Sequence, residues 1–279
     1  MDADDILLEN DQEKLQKLKE SLDDTVDAVM MNYNAGFDIA GNVTFSFYRE
    51  RLVKRERTFI WKEPVHEYLE VCGNIMQSAV RITHMKIKST SSKRNLAIYE
   101  KILADGGPLS PRGTYYYARE LKDNLRFDEA IRFFCRFLSS GQGWIEDNIA
   151  ACMELATCYA AKSLRKKQLL ALTQSFIYDT PRAEACCALG YVWKEAGDFK
   201  RAAFWFRLAT TLEKPEKCWG FHHEDCWGYI PNIELAVCFD KLGNPQIAKH
   251  YNELASACKP DDPSVKFNRN YFNSLEEDR

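Results

Sequence analysis

No run of apolar residues in this 279-residue chain approaches the ~18 residues that a helix needs to cross a bilayer. The chain also lacks a strong excess of either charge, because 38 basic side chains face 41 acidic ones and the formal net charge is -3. That balance argues against general binding to nucleic acid or to a membrane surface. The acidic first residues are the opposite of a signal peptide. These absences together indicate a cytoplasmic protein.

The chain is rich in apolar residues and in cysteine, and neither feature indicates a disulfide scaffold. Apolar side chains make up 46% of the residues, enough for a packed core, and the length suits about two domains. A free cysteine inside a helix packs as a small apolar group, so a reduced protein is expected. Most of the ten cysteines lie in segments with a helical pattern: Cys152, Cys158, Cys186, Cys187, Cys238 and Cys258.

From about Leu109 the sequence becomes helical and repeats itself. Small side chains allow two helices to approach closely, and the dipeptides Gly197-Asp198 and Gly243-Asn244 fall where the chain would turn between helices. A small residue followed by an alanine twelve positions later is typical of the tetratricopeptide helix pair. This spacing occurs at Ala118 and Ala130, at Gly190 and Ala202, and at Ala236 and Ala248.

A weaker unit lies between the first and the second of these pairs. It centres on Ala156 and Tyr159, and Gln168 stands where the other units have alanine. The offset from Ala156 to Gly190 is 34 residues, the usual period of this repeat. The chain is therefore expected to form an α-solenoid of about four units, whose concave side binds an extended peptide or another protein. A structural or self-associating scaffold, such as a homo-oligomer, is the open alternative.

An insertion of about a dozen residues separates the last two units. Its cysteines, histidines and glutamate could be interpreted as a zinc site, but their spacing matches no standard one. Trp219, Phe221 and Trp227 favour a long loop that packs on the repeats or contacts a partner. The possible zinc ligands are Cys218, His222, His223, Glu224 and Cys226.

The first residues contain two carboxylates one residue apart, Asp2 and Asp4. Such a pair can converge on one divalent cation and so neutralise a diphosphate. Asp5 could support them or cap the next helix. An element of this kind normally ends a central strand, with nucleotide-binding strands before it. We therefore expect either an accidental match or the C-terminal part of a larger enzyme.

The segments that follow give the pair a context. They are a helix over Glu9–Leu22, strands at Ala28–Met31 and Val43–Phe47, an arginine-rich turn at Arg49–Leu52, the segment Pro64-Val65-His66-Glu67, and a late His84. This order resembles the second half of a family 2 glycosyltransferase domain with the GT-A fold. It is similar to the bacterial type fused to tetratricopeptide repeats, among which are the sublancin-type peptide S-glycosyltransferases. The fold class expected is mostly α, with a partial α/β GT-A domain over 1–95 and a tetratricopeptide-like solenoid over 96–279.

The resemblance implies a metal and donor site. Asp2 and Asp4 would hold Mg²⁺ or Mn²⁺ and the diphosphate of a nucleotide-sugar, with a UDP-sugar as the expected donor. His84 would be the third metal ligand, or else a buried histidine with its hydrogen bonds satisfied. Trp61 would stack on the sugar or the acceptor, or else belong to the core.

The resemblance also implies an acceptor site. His66 and Glu67 would lie where the acceptor meets the sugar, and Glu67 would take the proton from the attacking hydroxyl or thiol in an inverting transfer. The alternative for Glu67 is a structural carboxylate paired with Arg49, Arg51 or Arg55. The expected function is metal-dependent sugar transfer to a peptide or protein acceptor, with the donor-binding half absent from this chain. The alternative is a non-catalytic tetratricopeptide adaptor.

Overall fold

The computed structural model describes residues 4–85, 93–215 and 219–277. The described residues form two compact units. One unit comprises residues 1–147 with 218–222, and the other comprises 148–217 with 223–279. The sequence predicts a domain boundary near residue 95, between a GT-A-like part and the repeats, whereas these two units are defined by their compactness. The predicted boundary stays a prediction.

A mixed β-sheet forms the centre of the first unit. Strand β2 pairs in parallel with β6 and antiparallel with β3, while β1 pairs antiparallel with β6. The strand order is β1-β6-β2-β3-β7, and His222 of the two-residue strand β7 belongs to this unit. A separate hairpin joins β4 and β5. The strands are β1 (Asp5–Ile6), β2 (Ala28–Phe37), β3 (Val43–Val53), β4 (Trp61–Lys62), β5 (Tyr68–Leu69), β6 (Ile75–His84) and β7 (His222–His223).

The predicted arginine-rich turn at Arg49–Leu52 is wrong. These residues continue strand β3, where Arg49 pairs with Met31 and Leu52 pairs with Val29. The charged side chains concealed the strand, because a partly buried strand accepts arginine and glutamate on its solvated face.

Helix α1 (Glu9–Ser21) covers one face of the sheet, and its prediction is confirmed. Successive strand residues point to opposite faces, so Val29, Met31 and Tyr33 share one face of β2. These three side chains are buried and form a core with α1, from which Leu15 and Leu18 contribute partly buried contacts.

Three helices complete the first unit: α2 (Arg94–Ala104), α3 (Pro111–Asp123) and α4 (Phe127–Ser140). Ser110 caps α3, because its hydroxyl oxygen accepts a hydrogen bond of 2.8 Å from the backbone N–H of Gly113. Helices α3 and α4 pack on each other, and Ala118 and Ala130 are both fully buried. The first predicted repeat is therefore an antiparallel helix pair.

The second unit consists of further helix pairs. Two of these helices approach closely at Gly190, where an added Cβ would lie 2.7 Å from the ring of Phe206. Ala202, Ala236 and Ala248 are also fully buried, as the repeat spacing predicts. The helices are α5 (Ile145–Ala161), whose first turn belongs to the first unit, α6 (Arg165–Gln174), α7 (Ala183–Glu195), α8 (Phe199–Thr211), α9 (Tyr229–Lys241), α10 (Pro245–Cys258) and α11 (Pro263–Glu277).

The aromatic residues of the repeats divide between the core and the surface. Tyr115, Tyr116 and Tyr117 are all buried, but Phe204 is 61% exposed. Phe204 stands on the outer side of α8, and Gln168 of the weaker unit is only half-buried. In the described ranges, a helix that combines the length and the apolar character of a membrane span is not found.

Candidate functional site

Three side chains that could hold a cation meet at the end of strands β1 and β6. Asp5 pairs with His84 across these strands, and Asp4 directly precedes Asp5. The Nδ1 atom of His84 lies 3.7 Å from Oδ1 of Asp4 and 3.4 Å from Oδ1 of Asp5. One ligand atom from each of the three residues lies within 4.8 Å of the others. We call these residues the acidic cluster.

Asp5 is the buried member of the acidic cluster, and its side chain has no solvent exposure. The Tyr33 hydroxyl donates a 2.6 Å hydrogen bond to Asp5 Oδ1, and the Arg51 guanidinium lies 3.5 Å from Oδ2. The interpretation of Asp5 as a helix cap is wrong, because α1 begins at Glu9 and its N-cap is Leu8. Asp5 instead compensates the partly buried Arg51 and fixes the position of the cluster.

The donor atoms of the acidic cluster suit Mn²⁺, which accepts both carboxylate oxygen and imidazole nitrogen. His84 Nδ1 is buried and finds no hydrogen-bond partner among the described residues. A buried nitrogen that makes no hydrogen bond calls for an explanation, and a metal ion shared with the two carboxylates would supply one. Asp2, the other predicted metal ligand, lies outside the described residues. Its role stays a prediction.

A second site in the same unit is a cavity of about 740 Å³, which we call the aromatic pocket. Its walls come from β3, the segment around the β4–β5 hairpin, helix α3, the start of α5 and residues 219–221. Aromatic side chains dominate these walls, notably Tyr68, Tyr116, Trp144, Trp219 and Phe221. Asp4, Asp5 and His84 are not among the lining residues, so the pocket and the acidic cluster are separate places.

His66 lines the aromatic pocket. Its Nε2 atom lies 2.8 Å from Oε1 of Glu120, and its ring stacks on Tyr116 with a centroid distance of 4.3 Å. His66 has a φ of 55°, in the left-handed region that a non-glycine residue seldom adopts. Burial favours a higher pKa for Glu120, but hydrogen bonds from His66 and Asn95 outweigh it and lower that pKa. Glu120 is therefore a carboxylate that holds His66 against the pocket.

Asp147 and Arg112 form the polar end of the aromatic pocket. Arg112 Nη1 lies 3.4 Å from Asp147 Oδ2, and Arg112 Nη2 donates a 3.2 Å hydrogen bond to the Tyr116 hydroxyl. Burial raises the pKa of Asp147 to about 6, although Arg112 and Arg119 act in the opposite direction. The contact with Arg112 is long for a charge-assisted hydrogen bond, so it offsets only part of the effect of burial.

Two predicted site residues stand apart from both sites. Glu67 is exposed, and its backbone carbonyl accepts a 3.2 Å hydrogen bond from Arg49 Nη2. Trp61 is 63% exposed and pairs with Leu69 in the hairpin, so its interpretation as a core residue is wrong. Neither side chain lines the aromatic pocket. The catalytic role of Glu67 and the stacking role of Trp61 stay predictions.

Sequence reasoning missed the contribution of helix α3 to the pocket. Arg112, Tyr116 and Arg119 follow one another at intervals of four and three residues, which places them on one face of a helix. A stripe of aromatic and basic side chains on a helix that otherwise packs in a core was the available signal. Asp147 had no such signal, because its partner Arg112 lies 35 residues earlier in the chain.

The end of the insertion before α9 packs on helix α7. Cys226 is buried, and the Cys187 thiol points toward its backbone carbonyl at 3.9 Å. The Trp227 indole donates a 3.1 Å hydrogen bond to Glu184. Within the described ranges, the acidic cluster is the one group of three His, Cys or acidic residues close enough to share an ion, while Cys218 lies outside those ranges.

Comparisons with known proteins support the helical-repeat part of the chain. No protein-family model matches the sequence, and a search of curated proteins gives no match. The crystal structure of the apo form of RapI is similar over 65% of this chain and 55% of that chain, with 14% identity and a TM-score of 0.53. This similarity shows a shared fold alone.

Two further structures are described as TPR proteins. YrrB, a TPR protein with an unusual peptide-binding site, matches 68% of this chain and 87% of its own at 14% identity and a TM-score of 0.47. A thermophilic TPR protein of Thermus thermophilus, TTC0263, matches 63% of this chain and 88% of its own at 16% identity and a TM-score of 0.44. Because both TM-scores lie below 0.5, the tetratricopeptide-like description rests on the helix pairs and their buried small residues.

Proposed function

We propose that this chain takes part in the metal-dependent transfer of a sugar from a nucleotide-sugar to a peptide or protein acceptor. The observation that carries the proposal is the convergence of Asp4, Asp5 and His84 at one end of the sheet. Two carboxylates and an imidazole form a donor set for a divalent cation, and such a cation neutralises the charge of a diphosphate leaving group. The resemblance to family 2 glycosyltransferases supports the same chemistry.

The residues of the chain have distinct roles in this proposal. Asp4 and His84 bind the cation directly, whereas Asp5 shares its charge between the cation and Arg51. His66 lies in the aromatic pocket and presents a polar ring edge there, supported by Glu120. The helical repeats supply the surface that binds the acceptor, as is usual for such arrays.

Cation binding is the direct test. Mn²⁺ titrated into the protein should be bound at one site, followed by electron paramagnetic resonance of the free ion. Asp4→Asn and His84→Ala should each weaken that binding by at least about tenfold, the loss that changes around a metal site already produce. Asp24→Asn is the matched control, because Asp24 is exposed and lies away from the cluster in sequence. Unchanged Mn²⁺ binding in both cluster variants would refute the proposal.

A second candidate is a non-catalytic adaptor that binds a peptide or protein through its repeats. The tetratricopeptide-like helix pairs favour it, and so do the exposed apolar side chains of the second unit, Leu170, Ile177 and Phe204. An adaptor has no need of the cation. If its peptide binding is unchanged by EDTA and by Asp4→Asn, and no UDP-sugar is consumed with Mn²⁺ present, the adaptor function is the correct one.

A further inference from the structure

We propose that the aromatic pocket is a binding site for a neutral saccharide of one or two rings, separate from the acidic cluster. Its volume of about 740 Å³ lies within the ~300–1,000 Å³ range of pockets that enclose small ligands. The inference goes beyond the proposed sugar transfer, because it assigns a ligand class to the pocket that His66 lines and requires no metal.

Aromatic rings and guanidinium groups lie against one another along the aromatic pocket. Arg112 lies 4.6 Å above the ring of Tyr68 and 4.7 Å from that of Tyr116. Arg119 lies 5.3 Å from the Tyr116 ring and 4.8 Å from the Phe221 ring. These stacked groups form a rigid wall in which aromatic rings alternate with guanidinium planes. A pyranose ring presents flat C–H faces that suit such a wall, whereas a flexible aliphatic chain would lose entropy on it.

Several charged side chains of the aromatic pocket have partners within the protein. Arg112 faces Asp147, and Arg49 lies 4.0 Å from Glu50. Glu63 accepts a hydrogen bond from the Ser110 hydroxyl at the start of α3. A ligand that carries its own charge would have to displace one of these partners at a desolvation cost. A neutral ligand avoids that cost.

Two buried donors beside the aromatic pocket lack acceptors among the described residues. The indole Nε1 of Trp219 and the Nε of Arg112 are buried, and the described residues provide no hydrogen-bond acceptor for either. Buried donors are nearly always paired in native proteins. A hydroxyl group both donates and accepts, so a polyhydroxylated ligand can accept from Trp219 and donate to the Asp147 carboxylate. Both donor atoms are buried, so binding requires a small movement of the groups around them.

Isothermal titration calorimetry in EDTA tests the proposal on the whole chain. The probes are glucose, galactose, N-acetylglucosamine, cellobiose, lactose and diacetylchitobiose. We expect at least one of them to bind with a measurable heat. Trp219→Phe keeps a ring and removes the donor, and it should weaken that binding by about fivefold to tenfold. Trp144→Ala removes a ring that is 45% exposed and should weaken it by about tenfold.

Trp61→Ala is the matched control, because Trp61 is exposed and does not line the pocket. This variant should bind the saccharide like the unmodified protein, and all variants should keep their thermal unfolding transition. Absence of binding by every probe would overturn the inference, and so would an affinity in both Trp219→Phe and Trp144→Ala that equals that of the unmodified protein. Displacement of the probe by a sugar-free peptide would assign the pocket to a peptide instead. Since no metal is present, any of these results leaves the Mn²⁺ test of the acidic cluster unaffected.

Discussion

Replacing Asp147 by asparagine should make the protein more stable at neutral pH and remove a pH dependence. The Asp147 carboxyl is buried, with 5% of its surface exposed, and its pKa rises from 3.8 to about 6. Burial is the largest cause of the rise; Arg112 and then Arg119 oppose it, and Glu146 adds to it. Between these two pKa values the folded protein keeps a proton that the unfolded chain has lost. Stability must therefore fall as the pH rises through this window.

The size of the effect follows from the difference in pKa. A difference of about 2 corresponds to about 3 kcal/mol of unfolding free energy, lost in full once the pH exceeds the folded-state pKa. Asparagine carries no charge, and its side-chain oxygen can still accept from Arg112. The advantage of Asp147→Asn over the unmodified protein should therefore grow by about 3 kcal/mol between about pH 4 and about pH 7.

Urea unfolding followed by circular dichroism over that pH range measures the difference. Asp105→Asn is the matched control, since it makes the same chemical change at an exposed position of the same unit. Its stability relative to the unmodified protein should stay nearly constant with pH. A difference for Asp147→Asn that is flat with pH would refute the reasoning, and one of opposite slope would show that the attraction of Arg112 exceeds the cost of burial.

Two further predictions concern packing and thiol reactivity. Gly190→Ala should destabilise the second unit by about 1–3 kcal/mol, because the new methyl group would lie 2.7 Å from the Phe206 ring. Urea unfolding measures this loss, and adding Phe206→Leu should recover part of it; no recovery would contradict the proposed clash. Iodoacetamide should label the exposed Cys135 in the native protein but not Cys152, whose thiol is buried with its pKa raised to about 12. Mass spectrometry of the labelled peptides gives the two rates, and equal rates would contradict the burial of Cys152.

The acidic cluster combines residues that are distant in the sequence. Asp4 and His84 are 80 positions apart, and only the order of motifs along the chain suggested that they meet. The structure brings them together through the antiparallel pairing of β1 with β6. It also changes the role of Asp5 from a cap to a buried partner of Tyr33 and Arg51, because the N-cap of the helix is Leu8.

The sequence by itself determined the first helix and the small residues at which the repeat helices pair. These features depend on spacings of three, four and twelve residues. Such spacings follow from the geometry of a helix and of the helix next to it in the chain, so they can be read from a short segment. Only the tertiary structure decided that His66 meets Glu120, 54 residues away, and that Asp147 faces Arg112 in the aromatic pocket. Contacts of this range arise from the way a hairpin packs on a helix within one compact unit. They depend on the whole fold, so no local pattern of residues specifies them.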